Sequence, residues 1–144
     1  IAGMVCVHSI LAAEKTGLCT GQLMYVPAYS HIYSGNKEVQ SLLAVTLSIR
    51  NTDPKNPISI VSVDYFDTEG IRLKQFVPGS PVIINELGTK RYTIPQGDKS
   101  GGSGANFLVK WEAAKPVNIP IIETIMIGSR SSFTSRGQVI VPSH

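Results

Sequence analysis

Aromatic and imidazole side chains crowd one short stretch of the chain, YVPAYSHIY (25–33). In an extended backbone Tyr25, Tyr29, His31 and Tyr33 project to one side, and Val26, Ala28, Ser30 and Ile32 to the other, because successive strand residues alternate faces. Rigid aromatics give contact area at low entropic cost, so such a row suits a binding surface. The plain alternative is a sandwich face whose tyrosines bury their rings and expose their hydroxyls, and Pro27 points to an edge or a bend. A second stretch, GDKSGGSGAN (97–106), holds four glycines between residues 97 and 104. Glycine-rich loops cradle phosphate when they open a helix, but this one leads into a strand pattern and lacks the Lys-Ser/Thr ending of a phosphate loop. Asp98 could give one oxygen to a weak calcium site, where a full calcium loop needs several carboxylates. Otherwise Asp98 caps a turn and the glycines supply positive φ. The candidate binding residues are therefore Tyr25, Tyr29, His31, Tyr33, Asp98 and Asn106.

Catalytic constellations do not assemble. Glu123 shares parity with Ile121, Ile125 and Ile127, so a buried face there would demand a partner such as Arg50 or His31, or a raised carboxyl pKa. One glutamate alone does not make acid–base chemistry, and no pattern sets a second carboxylate beside it. There is no G-x-S-x-G elbow and no H-E-x-x-H. The three histidines, His8, His31 and His144, are scattered. The expectation is a protein that is not an enzyme, with no catalytic residue, no metal site and no cofactor. The serine-rich SRSSFTSRG (129–137) reads as a loop and an edge strand; its Arg130 and Arg136 could meet an anion, which exposed arginines seldom do.

The totals narrow the class further. A chain of 144 residues fits one domain. Apolar residues make up 42% of it, enough for a core and too many for intrinsic disorder. Its charge of +3 is spread thinly, with no basic run of the kind that binds nucleic acid. Residues 1–13, IAGMVCVHSILAA, are apolar and end in small residues before Glu14, as the back half of a secretory signal does, with cleavage after Ala13. Retained, the stretch would be an arm that needs a surface to pack on, through Met4, Val5, Val7, Ile10 and Leu11. A donor strand for a neighbouring copy and a short membrane-embedded helix are the two other readings, with poor alternation weakening the first and His8 the second. The two cysteines, Cys6 and Cys19, could pair in an oxidising compartment.

The elements that must position these residues are strands. LLAVTLSIRN (42–51) alternates strictly, with Leu43, Val45, Leu47 and Ile49 on one face. NTDPKNP (51–57) breaks the ladder. In ISIVSVDYF (58–66) the apolar phase slips from Ile58 and Ile60 to Val61, Val63 and Tyr65, which predicts a β-bulge near Ile60. DTEG (67–70) turns into IRLKQFV; TKRYTI (89–94), ANFLVKW (105–111), IIETIMIG (121–128) and QVIV (138–141) continue the series, with AAKPVNIP (113–120) as a turn region. The pattern predicts an all-β fold: a fibronectin- or immunoglobulin-like antiparallel sandwich of about seven or eight strands over residues 21–144, preceded by the apolar arm, residues 1–20.

Two resemblances follow from these motifs. LAVTLSIRNTDPKNPISIVSVDYFDTEG (43–70) resembles the strand–turn–strand unit of the desiccation-related, LEA14-like proteins, which implies a fibronectin-like sandwich. YVPAYSHIY (25–33), LSIRNTD (47–53), VDYFDTEG (63–70), GGSGANFLVKW (101–111), the strand Glu123–Gly128 and SFTSRG (132–137) occur in this order. From Gly21 to Ile140 the chain thereby resembles a family of small exported bacterial proteins characterised only as a domain of unknown function, which implies export and a β-rich domain and transfers no ligand or reaction. The expected role is a structural or accessory subunit of an extracytoplasmic assembly, anchored in it by the N-terminal arm, residues 1–20, periplasmic or extracellular, and membrane-associated if the arm inserts. Its expected partners are proteins, either copies of itself or a larger membrane-associated or filamentous complex, and not nucleic acid. The alternatives are a soluble periplasmic binding module for a small ligand or protein, and a stress-protective protein of the LEA14-like kind.

Overall fold

A computed structural model describes residues 17–34, 39–129 and 131–141. Twelve strands appear there: β1 (Leu18–Ala28), β2 (His31–Ser34), β3 (Val39–Leu42), β4 (Ala44–Arg50), β5 (Ile58–Phe66), β6 (Arg72–Gln75), β7 (Val82–Ile84), β8 (Thr89–Ile94), β9 (Ala105–Asn118), β10 (Ile121–Ile127), β11 (Ser132–Arg136) and β12 (Gln138–Val139). No helix occurs among the described residues. The extra strands relative to the seven or eight expected are mostly short: β2, β3, β7 and β12 run two to four residues, below the length at which period two can be read.

All pairings are antiparallel. One sheet runs β12-β1-β9-β5-β6, with β7 also on β5; the second runs β11-β10-β4-β8; β2 and β3 form a separate hairpin. The two sheets pack as a sandwich over a single core. The inner face of the first sheet carries Met24, Val26 and Ala28, then Phe107, Val109 and Trp111, then Ile58, Ile60, Val63 and Tyr65. The second contributes Val45, Leu47 and Ile49, then Tyr92 and Ile94, then Ile122 and Met126. Trp111 is fully buried and its indole N–H donates to the amide oxygen of Gln22, its cross-strand partner, at 3.2 Å, so the one indole donor in the core is satisfied.

The predicted bulge is present. The register of β5 against β9 shifts between Ile60 and Ser62, so Val61 is the extra residue that lets both Ile60 and Val63 face inward. AAKPVNIP is not simply a turn. β9 continues to Asn118, and four residues, 113–116, oppose Thr20 alone between the pairs Gly21↔Glu112 and Cys19↔Val117. Pro116, which has no N–H to give a ladder, falls inside this bulge, where none is required.

The sandwich is closed on one side and open on the other. Chain 132–139 switches sheets at Gly137: β11 pairs β10, and β12 pairs β1. A Cβ at Gly137 would sit 3.1 Å from the Ile122 carbonyl oxygen and 3.1 Å from Met24 Cε, so the crossing is tight. Thr124, fully buried on β10, donates to the Pro27 carbonyl of β1 at 2.6 Å and ties the two sheets there. At the opposite side Phe76 and Tyr92 meet at a tilt, with ring centroids 5.2 Å apart, between β6 and β8.

Candidate functional site

The row expected at residues 25–33 is broken by a bend. β1 ends at Ala28 and β2 starts at His31. Ser30, fully buried, anchors the bend: its N–H donates to Gly102, its carbonyl accepts from Leu43, and its hydroxyl shares a 3.0 Å hydrogen bond with Tyr65. The four candidates therefore part company. Tyr25 lies on the outer face of the first sheet, Tyr29 packs edge-on against Phe133 at 5.5 Å, and only His31 and Tyr33 remain together, edge-on at 5.4 Å on the β2–β3 hairpin.

The glycine-rich loop is knitted to the domain. Thr68 donates through its hydroxyl to the Gly101 carbonyl and receives the Gly104 N–H on the same oxygen. Gly101 has no room for a side chain, since a Cβ would lie 2.0 Å from the Tyr65 hydroxyl and 2.7 Å from Ser30 Oγ. Burial pushes the Tyr65 phenol up, against the pull of the Ser30 bond. Asp98 caps its own turn: one carboxylate oxygen accepts from the hydroxyl and the N–H of Ser100, which holds the group below the ordinary carboxylate range. Asn106 is far from this cap in role, for it lies on β9 beside Pro27 and Phe66. Among the described residues no group of three or more His, Cys, Asp or Glu side chains is arranged to hold a metal ion.

The turn NTDPKNP builds a second polar knot at the other end of the sandwich. Asn51 is buried, and its amide nitrogen reaches the carbonyls of Asn56 at 2.9 Å, Ile84 at 3.2 Å and Asn85 at 3.1 Å. Its amide oxygen accepts the Asp53 N–H at 2.9 Å. Asp53, also buried, accepts from the N–H groups of Lys55 and Asn56 on one oxygen and from the N–H and side-chain amide of Asn118 on the other. The Asn118 N–H, then that of Lys55, pulls its pKa from 3.8 to about 2. Neither residue was singled out from the sequence for anything beyond turn formation.

Glu123 corrects another expectation. The buried residues of β10 are Ile122, Thr124 and Met126, so the face of Ile121, Glu123, Ile125 and Ile127 is the outer one. Glu123 stands across from Ser48 on β4 and Arg136 on β11, not from Arg50, which pairs Ile121. Arg136 is on an edge strand as expected. The assembly-arm residues Met4, Val5, Val7, Ile10 and Leu11, and also Cys6, His8, Arg130 and His144, lie outside the described residues. Cys19, buried near the start of β1, is disulfide-bonded, while its expected partner Cys6 is among the residues outside those described. β1 itself starts at Leu18, within the stretch assigned to the arm.

Two surfaces remain once these knots are set aside. The outer face of the first sheet carries Leu23, Tyr25 and Pro27 on β1, Asn106 and Leu108 on β9, and Asp64 and Phe66 on β5, in the rows Tyr25–Leu108–Asp64 and Pro27–Asn106–Phe66. A water-facing side of an antiparallel sheet is ordinarily polar; this one has an apolar stripe across three strands. Asp64 Oδ1 is buried in its midst with no hydrogen-bond partner. At the end of the same sheet, the four-residue bulge opens a groove of about 290 Å³ lined by Asn56, Pro57, Ser59, Ile83, Ala113, Ala114 and Lys115. Its two walls are joined by the Asp53 carboxylate, which binds Asn56 on one oxygen and Asn118 on the other.

Comparison with known proteins adds the family and little else. No curated protein matches the chain. A solved structure, described as the crystal structure of Thermotoga maritima 1070, is 12% identical, with a TM-score of 0.38, over 85% of this chain and 97% of that one. The motifs of the two knots and of the outer face all lie within residues 21–140, which match the family model described as protein of unknown function (DUF3124), and the chain belongs to that family.

Proposed function

We propose that the chain is an exported, non-enzymatic structural or accessory subunit that works by docking protein on the outer face of its six-stranded sheet. One observation carries this reading: Leu23, Tyr25, Pro27, Leu108 and Phe66 form an apolar stripe on a face that has no covering layer among the described residues. Tyr25 is exposed there and the other four are half-buried, and a contiguous apolar patch open to water marks an interaction site. The polar groups that might have done chemistry point the same way, because Asp53, Asp98, Thr68 and Ser30 direct their hydrogen bonds to the chain's own backbone and hydroxyls. Export rests on the apolar stretch 1–13 with its small residues before Glu14. The test is the mass in solution of the protein taken gently from its native source. Docking predicts a particle larger than a single copy of the polypeptide in that source, and Leu108→Asp, on the outer face, should release it without unfolding. A native protein that sediments as a monomer would sink the reading.

A second reading, a soluble binding module, has its own observation. The orphan Asp64 oxygen, across from Leu108 on the same face as Tyr25, would be satisfied by a ligand donor. It predicts a melting temperature that rises with ligand concentration, and Asp64→Asn should abolish the rise.

A further inference from the structure

We infer that the tip of the sandwich around Asp53 docks on an anionic lipid bilayer, with Leu87 as the side chain that enters it. The tip lies at the end of the strands and shares no residue with the stripe of the sheet face, so this docking is independent of the protein contact proposed there. Residues 85–88 form a turn closed by the Gly88 N–H on the Asn85 carbonyl at 2.9 Å. Leu87 is its third residue and has a φ of 60°, the one positive value at a non-glycine among the described residues. That position asks for Gly or Asn, because a Cβ there crowds the backbone. Leu87 is also 67% exposed, so its side chain gives little packing in return. The residue is thus kept at a cost to the fold, and strained residues of this kind cluster where ligands are held.

What surrounds Leu87 selects the occupant. Exposed apolar groups meet at the Asp53 knot: the Leu87 N–H donates to the Asp53 carbonyl at 3.2 Å, Pro54 follows Asp53 in the chain, and Ile119 follows Asn118, whose N–H reaches the Asp53 carboxylate at 3.0 Å. Ile119 is 38% exposed, and its carbonyl accepts from the Thr52 hydroxyl at 2.9 Å, so the tip is held in shape before anything docks. Exposed cations ring it: Arg50 ends β4 just before the turn, Lys55 gives its N–H to Asp53, and Lys115 lies in the β9 bulge three residues before Asn118. Glu86 is the exposed acid among them, and Glu112, further along β9, is paired with Lys110 at 3.9 Å. Asp53 itself is buried and turns its oxygens to the chain's own N–H groups. At the far end of the sandwich Asp67, Glu69 and Asp98 offset Arg72, Lys74 and Lys99, so the basic excess is local. A projecting leucine has no pocket to fill on a flat protein face. It does enter the headgroup region of a bilayer, where the cations beside it meet anionic headgroups.

The test is co-sedimentation of the full chain, residues 1–144, with vesicles of phosphatidylcholine and phosphatidylglycerol in equal parts, and with vesicles of phosphatidylcholine alone. The protein should bind the anionic vesicles and leave them as salt rises. Leu87→Asn suits the turn, so its melting temperature should equal or exceed that of the parent, while its vesicle affinity falls about tenfold or more. Lys55→Glu with Lys115→Glu should weaken binding to the anionic vesicles by about as much. Residues 1–13 are the same in every variant, so any binding of their own adds equally to all. An affinity that either variant leaves unchanged would put the contact elsewhere in the chain and overturn the inference. Failure to bind the anionic vesicles, or equal binding to phosphatidylcholine alone, would overturn it too. A Leu87→Asn protein that melts well below the parent would show that Leu87 serves the fold, with the same consequence. None of these results bears on the Leu108→Asp test of the sheet face, so the two readings fail separately.

Discussion

Asn51→Ala tests whether the turn between β4 and β5 holds the lower end of the sandwich together. Asn51 is 2% exposed and contacts three carbonyls through one amide nitrogen, which has two hydrogens to give. Truncation removes two carbonyl bonds and the acceptor of the Asp53 N–H. Three lost bonds at a net of about 1 kcal/mol each amount to about 3 kcal/mol. For a domain of this size that is a fall of roughly 10 °C in melting temperature. In urea the midpoint should drop by about 1.5 M, taking a slope of about 2 kcal/mol per molar. The assay is equilibrium unfolding followed by Trp111 fluorescence, with Thr52→Ala as a neighbour that loses only one exposed bond, to the Ile119 carbonyl. That control should move by less than about 1 kcal/mol. A loss below about 1 kcal/mol for Asn51→Ala, with an unchanged slope, would refute the view that one amide staples the 56 and 84–85 backbones.

Other consequences are more compact. Gly101→Ala drives a Cβ into the Tyr65 hydroxyl and should cost about 1–3 kcal/mol as overpacking, whereas Gly97→Ala, with open space around it, should leave the thermal midpoint within experimental error. The pH dependence of stability should carry a mark from Asp53: its folded pKa of about 2 lies below the 3.8 of an unstrained carboxyl, so its contribution is whole above about pH 4 and vanishes as pH falls toward 2. Urea midpoints at pH 5, 3 and 2.5 should show that slope, and Asp53→Asn should flatten it. Tyr92 buries a hydroxyl that has no partner, so Tyr92→Phe should be neutral or stabilising by up to about 1 kcal/mol; Tyr65→Phe, which loses the Ser30 bond, should destabilise.

Much of the sandwich could be read from the chain because its long strands have one decisive face. Leu43, Val45, Leu47 and Ile49 alternate with Ala44, Thr46, Ser48 and Arg50, and those four apolar residues are buried. The slip at Ile60 announced the bulge, since a strand that must keep burying its apolar residues can change phase only by adding one. TKRYTI was legible to the residue as β8. β10 was not legible in the same way. Ile121, Ile125 and Ile127 lie on one face and Ile122 and Met126 on the other, so both parities are apolar and period two does not say which faces inward. Pairing with β4 decides it, by setting Ile122 against Ile49 and Met126 against Val45. Glu123 then follows its face outward.

The candidate surfaces are hidden in the sequence for a related reason: the chemistry-bearing residue types belong to groups that the fold uses up. A carboxylate, a glycine run and a serine cluster look like a site in a linear chain, yet Asp98 bonds Ser100, Gly101 makes room for Tyr65, and Ser30 fixes the bend. Tyr25 and Asn106 do meet on one face, but what joins them is Leu108, two residues beyond Asn106 and next to the buried Phe107. That doubling was visible: a strand with apolar residues at both 107 and 108 has covered one face and left apolar surface on the other. The groove gave no such sign. Its walls are residues 56–59, 83 and 113–115, brought together by a bulge and by one aspartate. Asp53 reads in the sequence as a turn former. In the fold it sets the spacing between the β4–β5 turn and the end of β9, and with it the width of the groove. A substitution there should therefore alter what the groove can hold before it alters the sheets, since the pairs Ile58↔Ile84 and Ile60↔Trp111 do not pass through it.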